Sequence, residues 1–334
     1  MFWFHFASVG EFNTGKILID YFVNKKIPFY ITIFTKNGFE IANEYFKEKK
    51  IENVELKWFP LFCPVFKNYK VLVLFESEIW PHIILISKIK GAKIILINAR
   101  MPQNKVKKYK LLKFFIKMID KILTKSQEDT KNFLKIDKNL KIKTVGNLKL
   151  YQGDATENKR NEKKKYIVFG SVRKREAEDI VWVTNKLKNI INKECIIIPR
   201  HPSKEWEKIS QKYDVKVVNE LGVLKSYLKQ SYLAFIGGSL KQGYGGHNIV
   251  EPLSFKIPVL FGQYVDNIKE IARVIVKNKA GFMVKNKEEL LEKIILLCKN
   301  EKFYNQTVEN IEKTLSKGKE IFEKYVKEIE KYIQ

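Results

Sequence analysis

Two glycine pairs and a short polar motif make residues 237–251 the segment best suited to bind an anion. The apolar run 231–236 predicts a buried strand before Gly237-Gly238, and Gly245-Gly246 precedes a helix predicted from Ile249 to Phe255. Glycine lets the backbone approach a ligand without a Cβ atom in the way. Because the first amides of a helix have no partner within the helix, they can bind phosphate. The segment therefore predicts a phosphate site.

Four residues of this segment are expected to contact a bound nucleotide. The amides of Asn248, Ile249 and Val250 are expected to point at the anion, helped by the helix dipole. Glu251 is placed to accept a hydrogen bond from a ribose hydroxyl, as an acidic residue does in other nucleotide sites. An ordinary glycine-rich loop is the alternative for a single glycine pair, and two pairs with a polar motif disfavour it.

Carboxylates follow two other predicted strands. Glu11 comes after the run 2–7, and Glu76 and Glu78 come after the run 71–75. At a helix start the dipole is expected to lower the pKa of Glu11 and keep it ionised, so that Glu11 can act as a general base toward a hydroxyl. We expect Glu76 to orient an acceptor or stabilise positive charge, and Glu78 to cap a helix. For Glu11 taken alone, a purely structural role at the helix start is the favoured alternative.

Basic side chains end two further predicted strands. Lys149 closes the motif Gly146-Asn147-Leu148-Lys149, where its ammonium could meet a carboxylate or a phosphate. Arg200 follows the apolar run 195–199, and arginine suits bidentate contact with an anion. Lys and Arg side chains usually lie on the solvated surface. The position at a strand end argues against a solvated surface role, more strongly for Arg200 than for Lys149.

An alternation of strand-like and helical segments must position these residues. Amphipathic segments such as 15–25 and 177–191 separate the apolar runs, which predicts parallel sheets covered by helices on both faces. Such sheets bind ligands beyond the carboxyl ends of their strands. The predicted strands are 2–7, 29–34, 71–75, 94–98, 167–170, 195–199, 233–236 and 259–261.

The chain length of 334 residues suits two domains. We expect an N-terminal domain over 1–150, a polar, Lys-rich linker over 151–165 and a C-terminal domain over 166–318. Residues 319–334 are expected to form a helix that can pack back on the first domain. The predicted fold class is α/β, with two doubly wound Rossmann-like domains facing a central cleft.

The composition limits the range of functions. The 63 Lys and Arg residues exceed the 37 Asp and Glu residues by 26, which favours an anionic partner such as nucleic acid, phospholipid or a phosphorylated sugar. Cys63, Cys195 and Cys298 are widely spaced, as for reduced cytoplasmic thiols, and the histidines lack metal-ligand spacing, so no metal is expected. No apolar stretch reaches the roughly 20 residues that span a bilayer, and no signal peptide is recognisable.

Lysines alternate with aromatic and aliphatic residues from Lys105 to Lys117, which predicts one basic amphipathic helix. Such a helix commonly buries its apolar stripe in its own domain. It could also lie against an anionic bilayer, where each Lys near the surface contributes about 1 kcal/mol.

The order of these motifs resembles the Kdo (3-deoxy-D-manno-octulosonic acid) transferase family of lipopolysaccharide synthesis, which are B-type (GT-B) glycosyltransferases. The resemblance covers nearly the whole chain. It is carried by Ser8 to Glu11, Glu76 to Pro81, Asn98 to Arg100, Gly146 to Lys149, Pro199 to Pro202, Gly237 to Leu240 and Gly245 to Glu251.

The resemblance implies an inverting, metal-independent enzyme without a cofactor that moves Kdo from CMP-Kdo to a lipid A precursor (lipid IVA). It implies Glu11 as the general base, with Glu76 and Lys149 stabilising the transition state. The N-terminal domain would bind the acceptor. The C-terminal domain would hold CMP through Arg200, His201, Leu221, Gly222, Val223, Asn248, Ile249, Val250 and Glu251.

The resemblance also implies a location. It places the protein peripherally on the cytoplasmic face of the inner membrane, against its anionic surface, with no nucleic-acid partner. The N-terminal anchor of many family members is not found in this chain, so attachment is expected to depend on surface charge and apolar contacts.

One loop departs from the family pattern. Where the family has Ser-Thr-His-x-Gly-Glu, this chain has Ser171-Val172-Arg173-Lys174-Arg175-Glu176, so that arginines replace a histidine and a glycine. Family members often carry Gly-Pro where this chain has Gly262-Gln263. The role of the 171–176 loop therefore cannot be carried over from the family.

Two other functions fit parts of the sequence. Another B-type nucleotide-sugar transferase, or a UDP-sugar epimerase, would share the two domains and the glycine-rich loop, and a preference for UDP or GDP over CMP would favour it. A nucleic-acid-binding protein would share the net charge, but the sequence contains no recognised nucleic-acid module. Steep salt-dependent DNA binding without CMP binding would favour that class.

Overall fold

The computed structural model describes residues 1–51, 54–59, 68–151 and 165–333. They form two compact units: unit 1 comprises Met1–Tyr151 with Glu320–Gln334, and unit 2 comprises Gln152–Lys319. Cys63 and nearly all of the predicted linker 151–165 lie outside the described residues.

Unit 1 contains a parallel sheet of seven described strands. Its order is β3-β2-β1-β4-β5-β6-β7, so the direction of winding reverses between the neighbours β1 and β4. The carboxyl ends of those two strands form the switch point at which doubly wound sheets bind ligands. The strands are β1 (Phe2–Phe6), β2 (Phe29–Ile33), β3 (Glu55–Trp58), β4 (Val71–Phe75), β5 (Lys93–Ala99), β6 (Lys121–Thr124) and β7 (Ile142–Thr144).

Unit 2 contains a second parallel sheet, of six described strands. Its order is β10-β9-β8-β11-β12-β13, and the winding reverses between β8 and β11. The strands are β8 (Tyr166–Val172), β9 (Glu194–Pro199), β10 (Lys216–Val217), β11 (Ser231–Ile236), β12 (Val259–Gly262) and β13 (Gly281–Val284). These two sheets confirm the predicted α/β class with two doubly wound domains.

Helices connect the strands and cover both faces of the sheets. In β1, alternate residues serve different cores: Phe2, Phe4 and Phe6 pack in one cluster and Trp3 packs in another. The helices are α1 (Val9–Asn24), α2 (Lys36–Glu48), α3 (Pro81–Ile89), α4 (Val106–Lys110), α5 (Lys113–Lys117), α6 (Gln127–Leu134), α7 (Ala177–Leu187), α8 (Lys204–Tyr213), α9 (Leu224–Lys229), α10 (Val250–Ser254), α11 (Lys269–Lys277), α12 (Lys287–Lys299) and α13 (Glu301–Glu330). No helix in the described ranges has both the length and the apolar character needed to cross a bilayer.

All eight predicted strands are present, with ends shifted by at most two residues. The sequence prediction missed β3, β6, β7, β10 and β13. Four of these are edge strands, and β6 is next to an edge. Because an edge strand need not be apolar on both faces, short and polar segments such as Glu55–Trp58 lack the continuous apolar run that marks a central strand.

The prediction of one basic helix from Lys105 to Lys117 is wrong. The amides of Leu111 and Leu112 bond three residues back, to Lys108 and Tyr109, and this tighter turn separates α4 from α5. The break leaves two large apolar side chains on the surface: Leu111 is 84% exposed and Phe114 is 64% exposed.

Candidate active site

Glu11 lies in the first turn of α1, directly after β1, and is only 7% exposed. Its Oε2 atom accepts a hydrogen bond of 2.7 Å from the amide of Ala7. Burial, reinforced by the nearby charges of Glu78 and Glu76, raises the pKa of Glu11 to about 9. The expected lowering of this pKa by the helix dipole is wrong, because the loss of hydration outweighs the favourable backbone contact.

Glu78 interacts directly with Glu11. The negative charge of Glu78 helps to raise the pKa of Glu11, and burial is the main cause of the raised pKa of Glu78. Because adjacent carboxylates cannot both ionise cheaply, the pair retains a proton near neutral pH. The expectation that Glu78 caps a helix is also wrong, since Trp80 is the N-cap of α3 and makes no side-chain capping bond.

Glu76, at the carboxyl end of β4, forms an ion pair with Lys149, with 2.7 Å between Oε1 and Nζ. Burial alone would raise the pKa of Glu76, but Lys149, assisted by Lys125 and Arg100, holds it below its usual value. The backbone of Glu76 has φ +50°, a conformation that costs about 1–3 kcal/mol in a non-glycine residue. Glu76 is therefore a fixed anion beside the protonated pair.

The loop that carries Lys149 is held by several contacts. Asn98 Oδ1 accepts a hydrogen bond of 3.0 Å from the amide of Leu148. The hydroxyl of Tyr325 in α13 donates to the carbonyl of Gly146 at 2.9 Å, and Ile321 occupies the space beside Gly146, which has φ +125°. The contribution of α13 gives no local sequence signal, because residues 321 and 325 are remote from the motif in sequence.

In unit 2, three adjacent strands end side by side. The amide of Arg200, after β9, donates to the carbonyl of Val172 in β8, and the amide of Gly237, after β11, donates to the carbonyl of Gly170. Arg200 and His201 are exposed at this edge. The predicted CMP-contacting residues Leu221, Gly222 and Val223 follow the next strand, β10, and precede α9.

Glu176 organises the glycine-rich segment, a role that the sequence analysis did not identify. It is fully buried, and its carboxylate accepts hydrogen bonds from the amides of Gly238, Ser239 and Leu240 at 2.8–3.1 Å. It also accepts one from the amide of Arg173 at 3.0 Å. The available signal was its position as the last residue of the family's Ser-Thr-His-x-Gly-Glu motif.

The glycines of this segment leave space that is filled by other side chains of the protein. A Cβ atom on Gly238 would meet the ring of His247 at 2.6 Å, and one on Gly246 would meet Ile268 at 2.7 Å. Both residues have positive φ, of +79° and +85°. These glycines therefore have an internal packing role, and a substitution here does not test ligand binding cleanly.

The helix predicted over Ile249–Phe255 is the short α10, of five residues. Asn248 Oδ1 accepts a hydrogen bond of 3.1 Å from the amide of Val250. The expectation that the Val250 amide is unpaired is wrong, because the side chain of Asn248 acts as the acceptor. Ile249 is buried, whereas Asn248 is exposed and Glu251 is half-buried in the first turn of α10.

Comparison with known proteins identifies several similar to this chain. Residues 1–152 match the family model described as 3-Deoxy-D-manno-octulosonic-acid transferase (kdotransferase). A bifunctional glycosyltransferase/methyltransferase of Fusobacterium nucleatum is 32% identical over 90% of this chain, which covers 53% of that protein. A 3-deoxy-D-manno-octulosonic acid transferase of Aquifex aeolicus is 29% identical over 87% of this chain and 84% of the relative.

Among solved structures, a UDP-N-acetylglucosamine 2-epimerase has a TM-score of 0.65, with 12% identity over 97% of this chain and 95% of that chain. This similarity concerns the fold, which B-type glycosyltransferases and such epimerases share. The family match and the sequence relatives distinguish between the two classes. The family model that residues 1–152 match and the sequence relatives make this chain similar to Kdo transferases.

Proposed function

We propose that this chain transfers Kdo from CMP-Kdo to a lipid A precursor, with inversion and without a metal ion. The observation that carries the proposal is the buried Glu11 carboxyl at the switch point of unit 1, beside the ion pair of Glu76 and Lys149. A carboxylate in that position is a suitable base for an acceptor hydroxyl.

In the proposed reaction Glu11 takes the proton of the acceptor hydroxyl. The hydroxyl oxygen forms a bond to the anomeric carbon of Kdo from the face opposite CMP, and the bond from that carbon to the phosphate oxygen breaks. Such a direct displacement inverts the configuration. Lys149, oriented by Glu76, stabilises charge at the reacting centre, and Arg200 and His201 neutralise the charge that develops on the departing phosphate. Leu221 to Val223 and Asn248 to Glu251 complete the CMP site.

The raised pKa of Glu11 affects this mechanism. At pH 7 the carboxyl carries a proton in the free protein, so only a small fraction of molecules holds the ionised base. A base with a high pKa is a strong proton acceptor once it is ionised. The reaction is therefore expected to accelerate as the pH rises toward about 9.

We also propose that unit 1 docks on an anionic membrane through a basic apolar surface. We define this surface as the exposed residues of α4, α5, their junction and the position before α4, which are Lys105, Lys107, Lys108, Lys110, Leu111, Lys113, Phe114 and Lys117. Leu111 and Phe114 can enter the bilayer interface while the lysines contact anionic headgroups. Such docking would bring unit 1 to a lipid acceptor at the cytoplasmic face of the inner membrane.

The test is mass spectrometry of the products that the purified protein forms from CMP-Kdo and lipid IVA, with and without EDTA. The expected result is a mass increase of one or more Kdo units that EDTA does not abolish. NMR then compares the anomeric configuration of the new bond with that of the donor, and inversion is expected. Transfer from a UDP- or GDP-sugar with none from CMP-Kdo, or epimerisation of a UDP-sugar, would refute the proposal.

A further inference from the structure

The 171–176 loop, where this chain departs from the family pattern, meets the glycine-rich segment in a cationic cluster. Arg173 Nε donates a hydrogen bond of 2.9 Å to His247 Nε2. The guanidinium of Arg173 also lies over the ring of Tyr244, 4.8 Å from its centroid, and that of Arg175 lies 5.9 Å from the same centroid. The two arginines that replace the family's His and Gly therefore converge on one aromatic ring.

The bond from Arg173 fixes the tautomer of His247. An arginine Nε–H group can only donate, so Nε2 of His247 must be an acceptor and the proton of the neutral ring must be on Nδ1. Burial, followed by the charges of Arg173, Arg200 and His201, lowers the pKa of His247 to about 4. His247 is thus a neutral Nδ1–H donor at physiological pH and does not act as a general acid.

Arg173 has hydrogen-bonding capacity beyond this contact. Arginine has five N–H donors, and the bond to His247 uses the one on Nε. Within the described ranges, no Asp or Glu forms a salt bridge with Arg173, Arg175 or Arg200. By contrast, the neighbouring Lys174 pairs with Glu205. Among the described residues, three guanidinium groups at one strand edge thus lack a carboxylate partner.

The position of the cluster matches the candidate donor site. The backbone link between Arg200 and Val172 places Arg173 beside the end of β9. The ring of His247 fills the space that a Cβ atom on Gly238, just after β11, would occupy. Arg173 therefore lies between the two strand ends to which the nucleotide is assigned. Its side chain is half-buried and stacked on an aromatic ring, which restricts the movement of the guanidinium.

We propose that Arg173 is a donor-recognition residue of this chain, which binds an anionic oxygen of the sugar nucleotide through its terminal nitrogens while its Nε holds His247 as a neutral Nδ1–H donor. This inference rests on the proposed function for the location of the donor. The anionic oxygen belongs either to the nucleotide phosphate or to the carboxylate of the transferred sugar. Tyr244 and Arg175 support the orientation of the guanidinium.

The first test compares Arg173→Met with the control Lys174→Met, which removes the adjacent positive charge. Calorimetry of the full chain with CMP and with cytidine, together with KM for CMP-Kdo, separates the two anions. If Arg173 binds the phosphate, Arg173→Met weakens CMP binding by about 10- to 100-fold and leaves cytidine binding unchanged. If it binds the sugar carboxylate, only the KM for CMP-Kdo rises. Lys174→Met should change none of these values by more than about twofold.

Unchanged CMP affinity and unchanged KM in Arg173→Met would overturn the inference. If the wild type instead binds UDP or GDP more tightly than CMP, the proposed function fails. Arg173→Met is then compared with the wild type for binding of the preferred nucleotide and of its nucleoside, which still tests Arg173. If the wild type binds no nucleotide, both proposals fail.

The second test needs no ligand. Nitrogen-15 NMR of labelled histidine should show His247 protonated on Nδ1 and unprotonated on Nε2 from pH 6 to pH 8 in the wild type. In Arg173→Met, His247 should gain the Nε2–H tautomer or titrate at a higher pH. The inference is contradicted by a wild-type His247 with its proton on Nε2, or by a spectrum that the substitution does not change.

Discussion

Three carboxyl groups follow the switch-point strands of unit 1, whereas arginines follow two neighbouring strands of unit 2. In unit 1, three carboxylates follow β1 and β4, and only Glu76 among them has its pKa lowered by a basic partner. In unit 2, Arg173 and Arg200 follow β8 and β9, and the buried Glu176 accepts hydrogen bonds from backbone amides. Two sheets with the same winding therefore present different ionisable side chains at their strand ends.

This difference separates the role of the fold from the role of the sequence. Parallel winding brings strand ends together at the switch point in both units, and it does so regardless of which side chains are there. The acidic set suits removal of a proton from a hydroxyl, and the basic set suits binding of a phosphate or carboxylate. We therefore expect substitutions in unit 1 to change turnover and substitutions in unit 2 to change donor binding.

The largest expected effect is that of Glu11→Gln. The amide keeps the shape of the side chain but cannot accept the acceptor's proton, so single-turnover transfer should slow by about 10²- to 10⁴-fold. The measurement is product formation by mass spectrometry at saturating CMP-Kdo. Asn13→Gln, an exposed substitution in the same turn of α1, is the control. Turnover of Glu11→Gln within about tenfold of the wild type would exclude Glu11 as the base.

The corresponding buried carboxylate of unit 2 should affect binding and stability. Glu176→Gln replaces an anion that accepts from four amides, so the free energy of unfolding should fall by about 2–4 kcal/mol. Hydrogen exchange of the peptide 231–245 should accelerate, and CMP affinity should decrease. The control is Glu178→Gln, two residues on and exposed. Equal exchange in Glu176→Gln and the control would show that the carboxylate does not hold the segment.

The pH dependence of turnover tests the coupling within the acidic set. Since Glu11 must lose a proton to act as a base, kcat/KM should rise with pH toward a midpoint near 9 in the wild type. In Glu78→Gln the neighbouring negative charge is removed, which lowers the pKa of Glu11 and should move the midpoint to lower pH. A midpoint that stays in place, or moves upward, would show that Glu78 does not raise the pKa of Glu11.

The last expected effect concerns membrane binding. Replacing Lys105, Lys107, Lys108 and Lys110 with Gln should weaken binding to anionic liposomes by up to about 1 kcal/mol per charge. Added salt should weaken wild-type binding more than that of this unit 1 variant, because salt screens the surface attraction. The measurement is cosedimentation with the liposomes.

A matched control removes the same number of charges from unit 2. It replaces four exposed lysines of α8 and α11 with Gln, which are Lys204, Lys208, Lys212 and Lys277. The control variant should bind the liposomes nearly as well as the wild type. Equal cosedimentation of the wild type and the unit 1 variant at low salt would exclude the basic apolar surface as the docking face.

The fold could be predicted from the sequence because its central strands are apolar on both faces. Val71–Phe75 was predicted to the residue, whereas the edge strand Lys216–Val217 has no such signal. The positions of Glu11, Glu76 and Arg200 at strand ends followed from the same pattern. The pKa of Glu11 could not be predicted, because it depends on burial and on Glu78, which the sequence does not place beside it. Likewise, the role of the 171–176 loop could not be predicted, because the hydrogen bond from Arg173 to His247 joins residues that are remote in sequence.

The most direct test of this division of roles is the dissociation constant of CMP, measured by calorimetry for the wild type, Glu11→Gln, Arg200→Met and the double variant. We expect Glu11→Gln to bind CMP within about twofold of the wild type and Arg200→Met to bind it about 10- to 100-fold more weakly. The double variant should equal Arg200→Met, because the two sites contribute independently. A loss of CMP affinity in Glu11→Gln as large as that in Arg200→Met would contradict the division.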